Sequence, residues 1–375
     1  MEIAIIGGGI TGLTTALSLK KVGLNCTVYE KATELNEIGA GIWLQPNAMQ
    51  ILKWLGLEKE IQGNGCMLNK MEITNSALSP FKKIDATAVS DNQGNQTIAI
   101  HRGKLQQILY QAYNKVGKVE LGSDYSSHTT VEDKVHIEFE NKTAQADLLL
   151  GADGIHSKVR HVMALPSIYR STNQICCRGI AQYQLPEYLI NEGKEMWGKK
   201  MRFGFSQIAE KSVYFFAVLN KEICPLEMNI ETLAASFRDF NPIVTELIKA
   251  TSHLHTTELV DLKRLNTWHT NLTCLIGDAA HATTPNMGQG ACQGIEDAYY
   301  ISHILKNQTS SIEEAFRHFE NIRRKKVDYV VNNSWMFGKM AHQKTGQFLL
   351  RSIMKLTPEK IISEQMNKLY NVEKF

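Results

Sequence analysis

The sequence predicts an α/β fold: a doubly wound, mostly parallel sheet that carries a second, antiparallel sheet and C-terminal helices. Three observations predict it. The chain opens with a strand, a glycine turn, a helix and a second strand, which is one βαβ unit. Residues 172–220 are rich in aromatic and β-branched runs, the mark of antiparallel strands. After about residue 288 the pattern is helical, apart from breaks, to the end.

Each element follows from local chemistry. Ile3-Ala4-Ile5-Ile6 is a short apolar run bounded by glycines, as a strand buried on both faces requires. Residues 12–22 read as a helix with Leu13, Ala16, Leu17 and Leu19 toward the sheet, and Cys26-Thr27-Val28-Tyr29 as the second strand. Residues 45–61 read as helical, with Ile51, Leu52 and Leu55 inward, and residues 70–100 as strands and turns. Asp91-Asn92-Gln93-Gly94-Asn95 is a turn signal. A helix at about 103–116 precedes short strands over 118–150, which end in Leu148-Leu149-Leu150 before Gly151. Met201-Arg202-Phe203-Gly204-Phe205 and Val213-Tyr214-Phe215-Phe216 anchor the antiparallel sheet. Residues 230–250 read as helical, and Cys274-Leu275-Ile276 as a buried strand entering Gly277-Asp278. The expected organisation is discontinuous: residues 1–70, 97–165 and 265–330 form one domain, 71–96 and 166–264 a second, and 331–375 a C-terminal helical segment. No internal repeat or low-complexity tract interrupts it.

Composition excludes several classes. A net charge of +3, with lysines spread along the chain, does not suit a nucleic-acid binder. The seven cysteines are odd in number and contain no C-x-x-C pair, so neither a disulfide framework nor a zinc site is expected. No H-x-x-H pair or carboxylate–histidine cluster argues for another metal. A reduced, cytoplasmic setting is expected. No basic segment followed by an apolar stretch opens the chain, and no apolar run approaches the roughly 18 residues of a membrane span.

Gly7-Gly8-Gly9-Ile10-Thr11-Gly12 matches G-x-G-x-x-G with a strand before it and a helix after it. Gly7 permits the tight turn, Gly9 lets the backbone approach a pyrophosphate, and Gly12 allows helix and strand to pack closely. The helix start offers free N–H groups and a positive dipole end to phosphates. Glu30 ends the second strand, where an acid can bind ribose hydroxyls. This loop alone does not choose between NAD and FAD. Residues 277–298, GDAAHATTPNMGQGACQGIEDA, repeat the logic: a strand enters Gly277, Asp278 can accept from a sugar hydroxyl, and Gly288-Gln289-Gly290 opens a helix. The amides after Gly288 can donate to an electron-rich ring edge.

With Gly151-Ala152-Asp153-Gly154-Ile155-His156-Ser157-Lys158-Val159-Arg160 between them, these loops resemble, in the same order, the class A flavoprotein aromatic hydroxylases of the p-hydroxybenzoate hydroxylase fold. The resemblance spans residues 7 to 298. Further segments are similar to bacterial FAD-dependent urate hydroxylases and plant zeaxanthin epoxidases. They are Gly39-Ala40-Gly41-Ile42 followed by Gln45-Pro46-Asn47-Ala48, His101-Arg102 at a helix start, Cys292, and the tail from Ser334-Trp335 to Tyr370.

The resemblance implies an FAD-binding Rossmann-like domain (GR2 type) and an FAD-dependent monooxygenase. NADPH or NADH would bind transiently as electron donor, in keeping with the lack of a second Rossmann unit in the sequence. A C4a-hydroperoxyflavin formed with O2 would deliver one oxygen atom to a small aromatic or heteroaromatic substrate. It implies that Glu30 holds the adenosine ribose, Arg102 the ribityl–pyrophosphate region and Asp278 the ribityl chain. Asp153 would support FAD and nicotinamide, and the Gly288–Ala291 backbone would face the isoalloxazine. The same resemblance places Gly7, Gly9, Ile10, Thr11, Gly12, Lys31, Gly41, Ile42, Tyr125, Gly154, Gly277, Pro285, Gln289 and Gly290 around the cofactor.

For the substrate, Arg202 and Tyr214 fall where urate hydroxylases carry a catalytic arginine and tyrosine, and Phe203 and Asn286 join them as substrate contacts. A buried arginine suits an anionic or carbonyl-bearing substrate. Urate hydroxylases have an acid directly after the loop proline, and Asn286 cannot act as a carboxylate, which counts against urate itself. Met201, Phe203 and Phe205 could line a pocket, though such a stripe more often is core. His281 reads as a packing or hydrogen-bonding loop residue, and the cysteines as buried thiols. Trp335, Met336, Phe337, Met340, Phe348, Leu349 and Leu350 suggest a helix pair packed on the domains or at a dimer contact, with a membrane-surface helix as the rival reading. A monomer or homodimer without stable membrane insertion is expected. Alternatives on the same scaffold are a tetracycline-type antibiotic-inactivating monooxygenase or an epoxidase, and from another class a non-catalytic flavin-binding module. A halogenase is disfavoured because the five tryptophans form no Trp-x-Trp pair. A simple dehydrogenase leaves the second and third motifs unexplained.

Overall fold

In the computed structural model, residues 1–35, 40–81, 90–91 and 94–375 are described. Gly39, and Asn92-Gln93 of the turn signal, lie outside them. The opening βαβ unit is β1 (Glu2–Ile6), α1 (Ile10–Lys21) and β2 (Asn25–Tyr29). Then come β3 (Gly41–Leu44), α2 (Pro46–Trp54), α3 (Glu58–Gly63), β4 (Gly65–Met67), β5 (Lys70–Asn75), β6 (Ile98–His101) and α4 (Arg102–Asn114). The next stretch holds β7 (Lys118–Glu120), β8 (Tyr125–Val131), β9 (Lys134–Phe139), β10 (Thr143–Ala146), β11 (Leu148–Gly151) and α5 (Lys158–Val162). The middle holds β12 (Tyr169–Gln182), β13 (Glu192–Gly198), β14 (Met201–Ala209), β15 (Ser212–Asn220), α6 (Ile230–Ser236), α7 (Pro242–Lys249) and β16 (His255–Leu262). The chain closes with β17 (His269–Thr270), β18 (Thr273–Leu275), α8 (Asp278–His281), α9 (Gly290–Asn307), α10 (Ile312–Ala341), α11 (Lys344–Leu356) and α12 (Glu359–Tyr370).

The first sheet runs β17-β18-β11-β1-β2-β7, with β1 parallel to both β2 and β11, and β18 parallel to β11. Its central strands are covered on both faces, which is why they read as unbroken apolar runs: Ile5, Leu148, Leu149 and Leu150 are fully buried. The second sheet runs β16-β12-β15-β14-β13-β5. It is antiparallel except at one edge, where β13 pairs parallel with β5. Helices α6 and α7 cover one face of it, burying Phe237, Val244, Leu247 and Ile248 against Phe203, Phe205 and Phe215.

Two helical readings need correction. Residues 45–61 are two helices, because Gly56 turns the chain at φ +86 after α2. Residues 230–250 are also two, because Asn241 caps a new helix that starts at Pro242. The boundary expected at residue 331 falls inside the continuous 30-residue helix α10.

Candidate active site

The three glycine-containing segments meet at the carboxyl ends of β1, β11 and β18. Gly7 takes φ +109, and a Cβ there would lie 2.5 Å from the Ala152 carbonyl oxygen. The first loop is thereby pressed against the Asp153 segment. Gly12 permits the closest approach, since a Cβ there would stand 1.9 Å from the Gly7 carbonyl oxygen. Thr11 joins the first loop to the third segment: added Cβ atoms on Gly277 and Gly294 would meet its Oγ1 at 2.7 and 2.2 Å. Arg160 ties the second segment to the third. It is fully buried and donates to the Ala279 carbonyl at 2.8 Å and the Ile155 carbonyl at 2.6 Å.

This cradle carries the groups a dinucleotide needs. Helix α1 starts at Gly9 with no side-chain cap, and a Cβ on Gly9 would meet nothing within 4 Å. The first-turn N–H groups therefore look onto open space, where a pyrophosphate can accept from them. Glu30 closes the end of β2. Its carboxylate accepts from Gly8 N at 2.6 Å and Ala32 N at 2.9 Å. Ile10 is buried, Lys31 is exposed, and Thr11 is half-buried. Asp153 accepts from Val159 N at 3.1 Å through Oδ2, while its buried Oδ1 has no partner, and burial pushes its carboxyl above the usual range. Tyr125 lies close enough to feel that charge and hydrogen-bonds His128 at 2.5 Å. Gly154 follows in the left-handed region at φ +81.

Asp278 and Arg102 face each other across the same cleft. Both side chains are exposed to the cleft. Desolvation by the cleft walls raises the Asp278 carboxyl pKa, against the pull of His281 and Arg102. Arg102 begins α4, held by its N–H to the Ala40 carbonyl at 2.8 Å, with His101 as the cap. Gly41 and Ile42 lie on β3, and a Cβ on Gly41 would enter the Tyr214 ring at 2.3 Å. An orphaned carboxylate oxygen, carboxylates just past the ends of β2 and β18 and an open helix start fit FAD.

The second loop is held from below by a buried network that sequence reasoning missed. Asp297 accepts from Gly277 N at 2.8 Å and from His281 Nε2 at 2.6 Å. Arg323 donates to Asp297 at 2.8 Å, Glu296 at 2.6 Å and Gln293 at 2.7 Å. Glu296 also accepts from Asn47 at 2.6 Å and pairs with Lys326 at 2.7 Å. Burial alone would raise Asp297, but His281 and Arg323 hold it below the usual carboxylate range. His281 is thus tied into this network by its hydrogen bond to Asp297. The signal in the sequence was the adjacent carboxylates Glu296-Asp297 in the helix that the second loop opens.

Pro285 starts a short 3-10 turn that ends at Gly288, φ +62. A Cβ on Gly288 would meet Gln45 Nε2 at 2.7 Å, and that amide donates to the Met287 carbonyl at 2.8 Å. Gln289 donates to Gln45 Oε1 at 2.5 Å, and Gly290 and Ala291 open α9. Cys292 is a buried free thiol pushed up to about 12 by burial, and all seven cysteines are free.

The substrate expectations divide by strand parity. Arg202, Gly204 and Ser206 point from β14 toward the loops, as do Val218, Phe216 and Tyr214 from β15; Trp43 donates to Ser206 Oγ at 2.8 Å from that side. Phe203 points the other way. It is fully buried, stacks on Phe215 at 5.2 Å and meets Phe237 at 5.5 Å. Phe203 is therefore core and not a substrate contact, because residues one apart on a strand face opposite sides. The aromatic groups on the correct face are Trp43, Tyr214 and Phe216, with Phe216 within 6.5 Å of the other two.

Arg202 is buried and donates to Glu195 at 2.9 Å and to Asn286 Oδ1 at 2.6 Å, while its Nε has no partner. Asn286 Nδ2 donates to Thr284 Oγ1 and to the Ser334 carbonyl, both at 2.9 Å. A carboxylate there would face the Ser334 carbonyl oxygen, so asparagine suits this position and aspartate does not. Two further polar residues missed from sequence lie here. Buried His342 has no hydrogen-bond partner for either ring nitrogen, and burial and Arg202 lower its pKa to about 2. Gln174 donates to the Gly338 carbonyl at 3.0 Å but leaves Oε1 unmatched. Tyr214 is raised by burial and lies beside Arg178, so it stays protonated at neutral pH. A cleft of about 860 Å³ opens nearby between His101, Lys104, Ile208 and His253, and contains none of the glycine loops.

Residues 1–334 match the family model described as the FAD binding domain. The chain belongs to that family. Within it, the chain is a class A flavoprotein monooxygenase with FAD as its cofactor. It is 32% identical over 357 residues to a 3-amino-4-hydroxybenzoate 2-monooxygenase of Streptomyces platensis, covering 92% of this chain and 89% of that one. It is 29% identical over 352 residues to an aurachin C monooxygenase/isomerase of Stigmatella aurantiaca, covering 91% and 89%. Among solved structures, Klebsiella pneumoniae HpxO complexed with FAD and uric acid superposes with a TM-score of 0.88 at 25% identity, covering 99% of this chain and 96% of that one. Among the described residues of this family member, no helix is long and apolar enough to cross a membrane, and no group of residues could hold a metal ion.

Proposed function

We propose that the chain uses NADPH or NADH to insert one oxygen atom of O2 into a small, carbonyl-bearing aromatic or heteroaromatic substrate. The substrate lies on the sheet face between Arg202 and Tyr214. The observation that carries this reading is the pairing of Arg202. Glu195 already balances its charge, and Asn286 is neutral, so the site favours a neutral carbonyl over a strongly anionic group. Arg202 Nε remains as a donor, and His342 presents one donor and one acceptor beside it.

Tyr214 sits opposite Ser206, four residues along from Arg202, roughly 13 Å away at strand rise. Phe216 lies between them over Gly204, whose Cβ would strike the ring at 2.1 Å. That span accommodates an aromatic ring system with polar contacts at its ends. In this reading residues 1–70, 97–165 and 265–330 hold FAD, through the α1 start, Glu30, Arg102, Asp153, Asp278 and the Gly288–Ala291 backbone. FAD, when bound, supplies the reductive activation of O2 and the transfer of one oxygen atom. Arg202 orients the substrate carbonyl, protonated Tyr214 donates to or accepts from its far end, and the aromatic floor excludes water. The activities of the relatives, 3-amino-4-hydroxybenzoate 2-monooxygenase among them, support an aromatic substrate.

The test is NADPH and NADH oxidation against a panel of neutral oxo-heteroaromatics, with hydroxylated benzoates as the anionic comparison and products weighed for one added oxygen. An oxo-heteroaromatic that stimulates oxidation and gains one oxygen supports the reading; turnover of the benzoates alone overturns the preference for a neutral carbonyl. Purified protein that holds no flavin and cannot be reconstituted with FAD overturns the reading.

A further inference from the structure

Helix α11 turns an apolar face away from the molecule. Leu356 is 81% exposed, Phe348 73%, Leu349 51% and Ile353 49%. At 3.6 residues per turn these four side chains share one side of the helix. The helix is anchored: Gly346 is buried in its first turn, and Gln347, on the opposite side, is buried and donates to the Gly198 and Ala341 carbonyls, both at 2.8 Å. The apolar face therefore has a fixed direction and is not a tail free to fold back. Apolar side chains concentrated in this way on a surface mark an interaction site. Exposed Lys344 and Lys355 run along one edge of the stripe, and the helix contains no acidic residue.

We infer that α11 docks on the surface of an anionic lipid bilayer, lying parallel to it with its apolar face in the headgroup boundary. The charge pattern selects this occupant over a second copy of the chain. Two such helices packed antiparallel, face to face, would bring their lysines together, whereas an anionic surface attracts them. The length agrees: 13 residues span roughly 20 Å, short of the roughly 30 Å hydrocarbon core. The lysine stems can lie along the apolar boundary while their ammonium groups reach the lipid phosphates.

The experiment is co-sedimentation of full-length, FAD-loaded protein with phosphatidylcholine vesicles, with and without phosphatidylglycerol. Binding is expected only with phosphatidylglycerol and weakens as salt rises. Lys344→Gln and Lys355→Gln each lower partitioning about fivefold. The double variant Phe348→Ser/Leu356→Ser abolishes it, with flavin occupancy and NAD(P)H oxidation unchanged. No binding to phosphatidylglycerol vesicles at low salt overturns the inference, and so does full binding by the double variant. A homodimer by light scattering that the double variant splits, without vesicle binding, assigns the face to a second copy instead.

Discussion

The underside of the second glycine loop and the sheet face that carries Arg202 are both polar and both buried, but protein completes only the first. Beneath the loop, Arg323, Glu296, Asp297 and His281 match one another and the Gly277 backbone. On the sheet, Arg202 Nε, Gln174 Oε1 and both nitrogens of His342 find no protein partner. Buried polar atoms are rarely left unmatched, because each costs about 1–3 kcal/mol. The difference teaches that the underside of the loop is finished at folding, while the sheet face proposed for the substrate keeps hydrogen-bonding capacity that a ligand can use.

The strongest way to break the comparison is to remove the centre of the finished network. Arg323→Met leaves buried Glu296 and Asp297 without the cation they share, and an unfolding cost of about 3–5 kcal/mol is expected, with loss of FAD. Denaturant titration with flavin absorbance reads both. A stable, flavin-loaded variant would show that the network does not hold the loop.

The same network predicts a pH dependence. Asp297 is depressed in the folded state, so its stabilisation is complete above its unperturbed value of 3.8 and is lost as pH falls through the lower folded value. The denaturation midpoint should be flat on this account near neutrality and fall below about pH 4. In Arg323→Met that acid-side fall should be smaller. An equal fall in both proteins would place the acid-sensitive group elsewhere.

Asp278→Ala tests the open side of the cradle, where the carboxylate meets cleft and not protein. The chain folds, and FAD affinity drops about tenfold or more, as loss of a charged hydrogen-bond acceptor predicts. Unchanged retention of flavin after dialysis would remove Asp278 from the cofactor site.

On the sheet face, Arg202→Ala should keep flavin while substrate-stimulated NAD(P)H oxidation weakens about tenfold. Normal stimulation would move the substrate elsewhere. The smallest effect is expected from Phe203→Leu, which costs at most about 1.5 kcal/mol of stability and leaves stimulation unaltered. A changed substrate preference would reverse the placement of Phe203 in the core.

Much of this molecule is legible in order along the chain. The apolar runs at Ile3–Ile6 and Leu148–Leu150, the glycine spacings and the carboxylates Glu30, Asp153 and Asp278 are local patterns, set by what a buried strand or a tight turn tolerates. Those patterns sufficed for the fold class, the family and the cofactor. Parity was harder: Arg202 and Phe203 are neighbours in sequence yet serve opposite faces, and only the packing of α6 and α7 decides which face is core. The tertiary structure alone brought Arg323 under Asp297, His342 beside Arg202 and Ser334 against Asn286. These contacts join residues 26 to 140 positions apart. Such pairings depend on how sheets and helices stack, and no local periodicity encodes them. So the sequence by itself determined an FAD monooxygenase, and the tertiary structure decided which side chains share the sheet face proposed for the substrate.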